Sequence, residues 1–101
     1  ITLIDLTNVP AIHQKETLKL PGEVTTGVVV DQVVEGTPAA LAGMKTYDVI
    51  VEMDGEKVEN TIELRKHLYN EKETGDELKV KLYRQGELVE ITLLLKETTE
   101  L

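Results

Sequence analysis

Nucleophilic hydrolysis by Ser or Cys needs that side chain activated by a neighbouring base, and this sequence contains no serine and no cysteine. A catalytic Thr relies on its own free N-terminal amine, whereas residue 1 is Ile. The two histidines, His13 and His67, stand far apart and lack the H-x-x-x-H spacing of a helical zinc site. Thiolate metal ligation and disulfide bonding have no residues to use. The acid-rich run NEKETGDE, residues 70–77, leaves a weak calcium site open, but its spacing is not that of an EF-hand loop and a solvated loop is the plainer reading. His67, next to Leu68, reads as a surface histidine or as a specificity residue, and His13 as an exposed one. Met44 and Met53 read as core fillers. The residue inventory therefore points to binding rather than reaction, with no catalytic residue, metal or cofactor expected.

The elements that must position any binding residue come from a chain of 101 residues, enough for one domain with a single modest core. There is no Phe or Trp and there are only three Tyr, so the core must be built from Val, Leu and Ile. Charged residues make up 30% and the formal net charge is −8, a balance that fits a folded, soluble chain and argues against a nucleic-acid partner, which calls for a basic patch. No apolar run approaches the ~18 residues of a membrane span. The chain starts with Ile rather than Met, so it is expected to be a piece of something longer, and the lack of a signal peptide says nothing about compartment.

ITLIDL, residues 1–6, reads as a short strand with both faces partly apolar. Thr7 or Asn8 is an N-cap candidate before Pro10, and residues 11–18 read as a short helix or an ordered loop, stopped by Pro21-Gly22. GVVVDQVV, residues 27–34, is β-branched and reads as a strand. Thr37 is an N-cap, Pro38 occupies the first helical position and Gly43 ends a small Ala-rich helix. A strand over residues 49–53 then meets the Asp54-Gly55 turn signal, with a brief return strand after it. Asn60 with Glu63 forms a capping-box pattern for a helix over residues 61–69 that buries Leu64 and Leu68. Two alternating strands around Gln85-Gly86 read as a hairpin. This order lacks a βαβ rhythm and predicts an α+β fold, a mostly antiparallel, partly open barrel with two helices capping its openings.

Thr37-Pro38-Ala39, Ala42-Gly43-Met44, Asp48-x-Ile50 and Asp54-Gly55, in that order and spacing, resemble the signature of bacterial PDZ domains. One departure is Tyr47, where that family usually has Gly, so the turn before Asp48 must either take a non-glycine conformation or be rearranged. The resemblance covers essentially the whole chain and implies a single PDZ domain over residues 1–101. It implies the permuted bacterial strand order, an insert at residues 7–25 and a tail at residues 97–101. The nearest likeness is to PDZ domains of HtrA/Deg-type trypsin-like serine proteases, of the Gram-positive, membrane-anchored kind. That implies an extracytoplasmic, tethered domain with a role in protein quality control, and no direct membrane insertion by the domain itself.

By the same resemblance, the partner is a peptide C-terminus or an extended hydrophobic segment of an unfolded protein, added as a strand beside the first strand and opposite the second helix. The implied peptide-binding residues are Ile1, Thr2, Leu3 and Ile4 on the strand, and Thr61, Arg65 and Leu68 on the helix. Ile1, Leu3 and Leu68 would form the apolar pocket for the last side chain, or simply be core. Arg65 would favour an acidic or polar residue further up the peptide, or be an ordinary solvated side chain. The loop that would hold the peptide carboxylate is expected to lie largely before Ile1. Thr99-Glu100-Leu101 fits the pattern of a PDZ ligand, and either docks in a neighbouring molecule or matches by accident. The alternatives to a protease-linked peptide reader are a scaffold domain that contacts its own parent protein, and the PDZ domain of a tail-specific or intramembrane protease.

Overall fold

The computed structural model describes residues 2–95. In chain order the elements are β1 (Thr2–Asp5), a 3-10 turn (Leu6–Asn8), α1 (Ala11–Glu16), β2 (Val28–Gln32), α2 (Pro38–Leu41), β3 (Val49–Met53), β4 (Glu56–Lys57), α3 (Thr61–Glu71), β5 (Glu77–Arg84) and β6 (Glu87–Leu94). The strands form one open antiparallel sheet in the order β1-β2-β3-β5-β6, with β4 paired to β3 off that path. The predicted α+β class and the antiparallel, partly open architecture are both present.

The β-branched run in β2 explains how the sheet is buried. Side chains alternate across a strand. Val28 and Val30 enter the main core with Ile50, Met53, Leu64, Leu68, Leu78, Val80, Leu82 and Leu93, while Val29 faces the other way with Val49, Leu6, Leu18 and Leu20. Two aliphatic clusters thus lie on opposite faces of the sheet, and a strand buried on both faces needs a continuous apolar run rather than alternation. The second cluster is where residues 7–25 pay back their length: Leu18 and Leu20 cover the face that would otherwise be open. β2 stops at Gln32, short of the predicted Val34, because the Val34 carbonyl accepts from the Thr37 hydroxyl (2.7 Å) and the chain turns into α2.

Local signals set the helix ends. The Thr37 side chain caps α2 at the Ala40 N–H, and Pro38 sits at its first turn. Gly43 follows at φ +91°, and the Gly43 and Met44 N–H groups donate to the Ala40 and Ala39 carbonyls (3.1 and 3.0 Å), a Schellman motif closed by buried Met44 and Ala39. Met44 and Met53 are both buried, as core fillers should be. α1 forms, but Pro10 occupies its N-cap position instead of Thr7 or Asn8, and no side chain caps it. The Gln14 side chain instead donates to the Leu6 and Val9 carbonyls (3.1 and 2.8 Å), folding the short helix back onto the preceding turn.

Asp48 and Tyr47 show what the turn into β3 requires. Asp48 is 1% exposed and accepts from the Lys45 N–H (2.8 Å) and from both Nε and Nη2 of Arg84 (2.9 and 2.7 Å). Arg84 Nη2 also donates to the Gly43 carbonyl (3.0 Å), so one guanidinium ties the end of α2 to β5. Its hydrogen bonds to Asp48, with the carboxylate's charge, outweigh the opposing effect of burial and raise the Arg84 pKa. Tyr47 keeps the turn by adopting the left-handed conformation itself, at φ +73°, while its N–H donates to the Val30 carbonyl (2.7 Å). The missing glycine is therefore replaced by backbone strain rather than by a rearranged turn.

Candidate functional site

Among the described residues, β1 has a strand partner on one side only. The Leu6 N–H donates to the Gly27 carbonyl (3.0 Å), and antiparallel ladder bonds recur at every second residue. Ile4 and Leu6 therefore direct their main-chain groups at β2, and Leu3 and Asp5 direct theirs at the outer edge. No other described strand pairs with that edge. The edge of a strand presents main-chain donors and acceptors to which one more strand can pair.

The element beside this edge is α3. Its N-cap is Asn60, whose side chain accepts from the Glu63 N–H (2.9 Å), and Glu63 reaches back to the Glu59 N–H (3.3 Å). The capping box predicted at Asn60 is thus formed with its return bond one residue earlier. Leu64 and Leu68 face inward, and Leu68, 3% exposed, belongs to the same core cluster against which Leu3 packs. At the other end, the Asp5 Oδ1 accepts from the Thr61 N–H (2.7 Å), tying strand to helix. The outer edge of β1 and helix α3 thus form the two sides of a candidate channel, above the cluster that Leu68 shares with Leu3.

The implied site residues divide accordingly. Leu3 and Leu68 come together in one cluster, and Thr61 stands half-buried at the start of α3. Arg65 is exposed on the helix, and Thr2 is exposed beyond a bulge that separates it from Leu3. Ile1 lies outside the described residues, as does the Thr99-Glu100-Leu101 tail. Ile4 needs correcting: it packs against the second cluster, on the opposite face of the sheet from α3, so its side chain does not line the channel. Side-chain alternation forbids consecutive strand residues from sharing that face.

His67 also departs from expectation, being neither a surface residue nor part of the channel. It is 9% exposed on the rear of α3, with Nε2 2.9 Å from Asp54 Oδ2 and Nδ1 3.2 Å from Glu56 Oε2. Lys72 Nζ sits 3.1 Å from the same Asp54 oxygen, and the Lys79 N–H donates to Asp54 Oδ1 (3.0 Å). Burial alone would push the Asp54 carboxyl up, but the hydrogen bonds from His67, the Lys79 N–H and Lys72, with the Lys72 charge, outweigh it and hold the pKa below its ordinary value. This cluster fastens the C-terminal half of α3 to the β3–β4 turn. Asp5 does the same for the N-terminal end, and neither residue carried a signal that distinguished it from an ordinary strand or turn aspartate. His13 is exposed, 3.4 Å from the Thr17 hydroxyl. In the acidic run, Asp76 accepts from the Glu73 N–H (2.9 Å) to shape a turn, and among the described residues no group of three acidic or histidine side chains is placed to hold a metal ion.

Comparison with known proteins bears on the family and the fold. The family model described as PDZ domain matches residues 1–95. The chain is 35% identical over 101 residues to the serine protease Do-like HtrB of Bacillus subtilis, covering 99% of this chain and 22% of that protein. It is 39% identical over 83 residues to a serine protease HtrA-like of Staphylococcus aureus, covering 82% of this chain and 11% of that one. The chain thus spans about a fifth or less of the curated relatives it matches. Among solved structures, the HtrA3 PDZ domain bound to a phage-derived ligand (FGRWV) superposes with a TM-score of 0.73 at 20% identity, covering 93% of this chain and 80% of that one, and so supports the fold. The HtrA-type protease AlgW with a decapeptide gives a TM-score of 0.71 at 26% identity, over 93% of this chain and 27% of that one. The chain belongs to the PDZ domain family, an interaction module rather than a protease catalytic domain, and its relatives are the PDZ domains of HtrA-like serine proteases.

Proposed function

We propose that this domain binds an extended peptide, ending in a free carboxylate, as an extra strand between β1 and α3, and does so in the service of an attached HtrA-like serine protease. The observation that carries the reading is the outer edge of β1, unpaired among the described residues, with Leu3 and Leu68 sharing one apolar cluster beside it. Main-chain groups of Leu3 and Asp5 supply the ladder, and Leu3 and Leu68 supply apolar surface for the terminal side chain. Ile1 would complete that pocket, Thr61 would flank it, and Arg65 would favour an acidic or polar residue further up the peptide. Thr2, whose main chain pairs with Gln32 of β2, would stand at the rim of the pocket rather than form its wall. The peptide-bound state of the HtrA3 PDZ domain and of AlgW supports the assignment. Hydrophobic chain ends are exposed by misfolded proteins, so the domain would serve quality control outside the cytoplasm, tethered through its parent's membrane anchor. A bound strand could bias the state of the protease domain to the extent that it binds one state better.

Calorimetric titration with peptides of identical sequence, carrying either a free or an amidated C-terminus, tests the reading, on the domain alone and within its full-length protein. The free acid should bind at least tenfold tighter. Equal and negligible binding of both forms in the full-length protein would refute it.

A further inference from the structure

We infer that Asp5 is a specificity-determining residue of the channel, selecting a cationic side chain at one peptide position. The inference rests on the peptide-binding reading above and refines it. Asp5 follows Leu3 by two residues, so both side chains lie on the α3 side of β1 while Ile4 lies on the other. Its Oδ1 spans to the Thr61 N–H at 2.7 Å, which places the carboxylate across the channel between strand and helix. Oδ2 has no hydrogen bond or ion pair to another described side chain, and Asp5 is only half-buried, so this oxygen remains open to a donor.

A peptide strand laid against β1 bonds the main chain of Leu3 and then, two residues further from its end, that of Asp5. β1 ends at Asp5 and the chain turns into the 3-10 segment, so the ladder stops there. The peptide residue reaching Asp5 therefore meets a fixed carboxylate at the last rung. A Lys or Arg there gains a charge-assisted hydrogen bond, and a Glu there meets like charge. Arg65, one helical turn beyond Thr61, carries the opposite sign and acts on a different part of the peptide. The channel is thereby polar in the sense of its charge, cation-seeking at the Asp5 rung and anion-seeking beside Arg65.

The test uses six-residue peptides with a free C-terminal Val, in which one Lys or one Glu is walked through the upstream positions. Binding to the wild type and to Asp5→Asn is measured by fluorescence anisotropy at low and high salt. Asn keeps an acceptor for the Thr61 N–H and removes the charge, so the helix end stays held. In the wild type, Lys should exceed Glu on the order of fivefold at one upstream position, an advantage that shrinks with added salt. Asp5→Asn should abolish the difference at that position alone. A profile of the same shape in both proteins, or a uniform drop in all affinities, would assign Asp5 a structural role and overturn the inference while leaving the peptide-binding reading intact. Failure of every peptide to bind the wild type would overturn both.

Discussion

Residues 36–55 and the β1–α3 channel are built on opposite plans. The first stretch is dense with recognisable signals, and each is consumed by the fold: Thr37 caps, Gly43 closes a Schellman motif, Asp48 is locked by Arg84, and Asp54 anchors His67 and Lys72. The channel has few signals and many unspent groups: a strand edge that no other described strand pairs with, an exposed Arg65 and a half-buried Thr61. A motif is conspicuous when local chemistry dictates each residue, and such residues have little freedom left to bind anything. The difference predicts that substitutions in the first region change stability and those in the second change binding.

The largest stability effect should come from Asp48→Ala. It leaves the Lys45 N–H without its partner and the Arg84 guanidinium, 29% exposed, with only the Gly43 carbonyl, which costs about 2–3 kcal/mol. Urea unfolding measures the loss, and peptide affinity of the molecules that remain folded should be unchanged. An equal loss of affinity would break the separation between the two regions. Leu3→Ala should behave in the reverse way. Leu3 is half-buried, so truncation should cost about 1–2 kcal/mol of stability. It should also weaken a peptide with a large terminal side chain by about tenfold, as read by titration.

Much of this division was legible in the residues. The turns, caps and strands of residues 36–55 follow from local rules, and so does the hairpin at Gln85-Gly86, where both residues take positive φ as a type I′ turn requires. What was not legible depends on partners distant in sequence. Asp48 finds Arg84, 36 residues away, and Asp5 finds Thr61, 56 residues away. His67 carries no local sign of its burial, because the two carboxylates that hold it, Asp54 and Glu56, come from the β3–β4 turn behind α3. The side-chain direction of Ile4 depends on residues 7–25, which build a second core that claims the other face of β1.

Two smaller effects sharpen the comparison. Tyr47→Gly relieves a left-handed tyrosine and should raise stability by about 1 kcal/mol or less, since glycine's greater freedom in the unfolded chain offsets part of the gain. A rise in melting temperature with unchanged peptide affinity would confirm that Tyr47 belongs to the scaffold. Asp54 gives the smallest effect, and its sign is set by its depressed pKa. Its contribution is present above the ordinary carboxyl value of 3.8 and is lost as pH falls through the lower folded value. The stability gap between wild type and Asp54→Asn should therefore close on acidification below about pH 4. A gap that widens in acid would contradict the network drawn around His67.

The most direct test of the central claim, that the binding site is the β1–α3 channel and not the motif-rich stretch, is amide chemical-shift mapping by NMR during addition of a peptide with a free C-terminal apolar residue. The account predicts the largest shifts at Leu3, Asp5, Thr61, Arg65 and Leu68, with residues 36–55 little changed. Shifts centred on α2 and β3, with β1 and α3 unaffected, would contradict it.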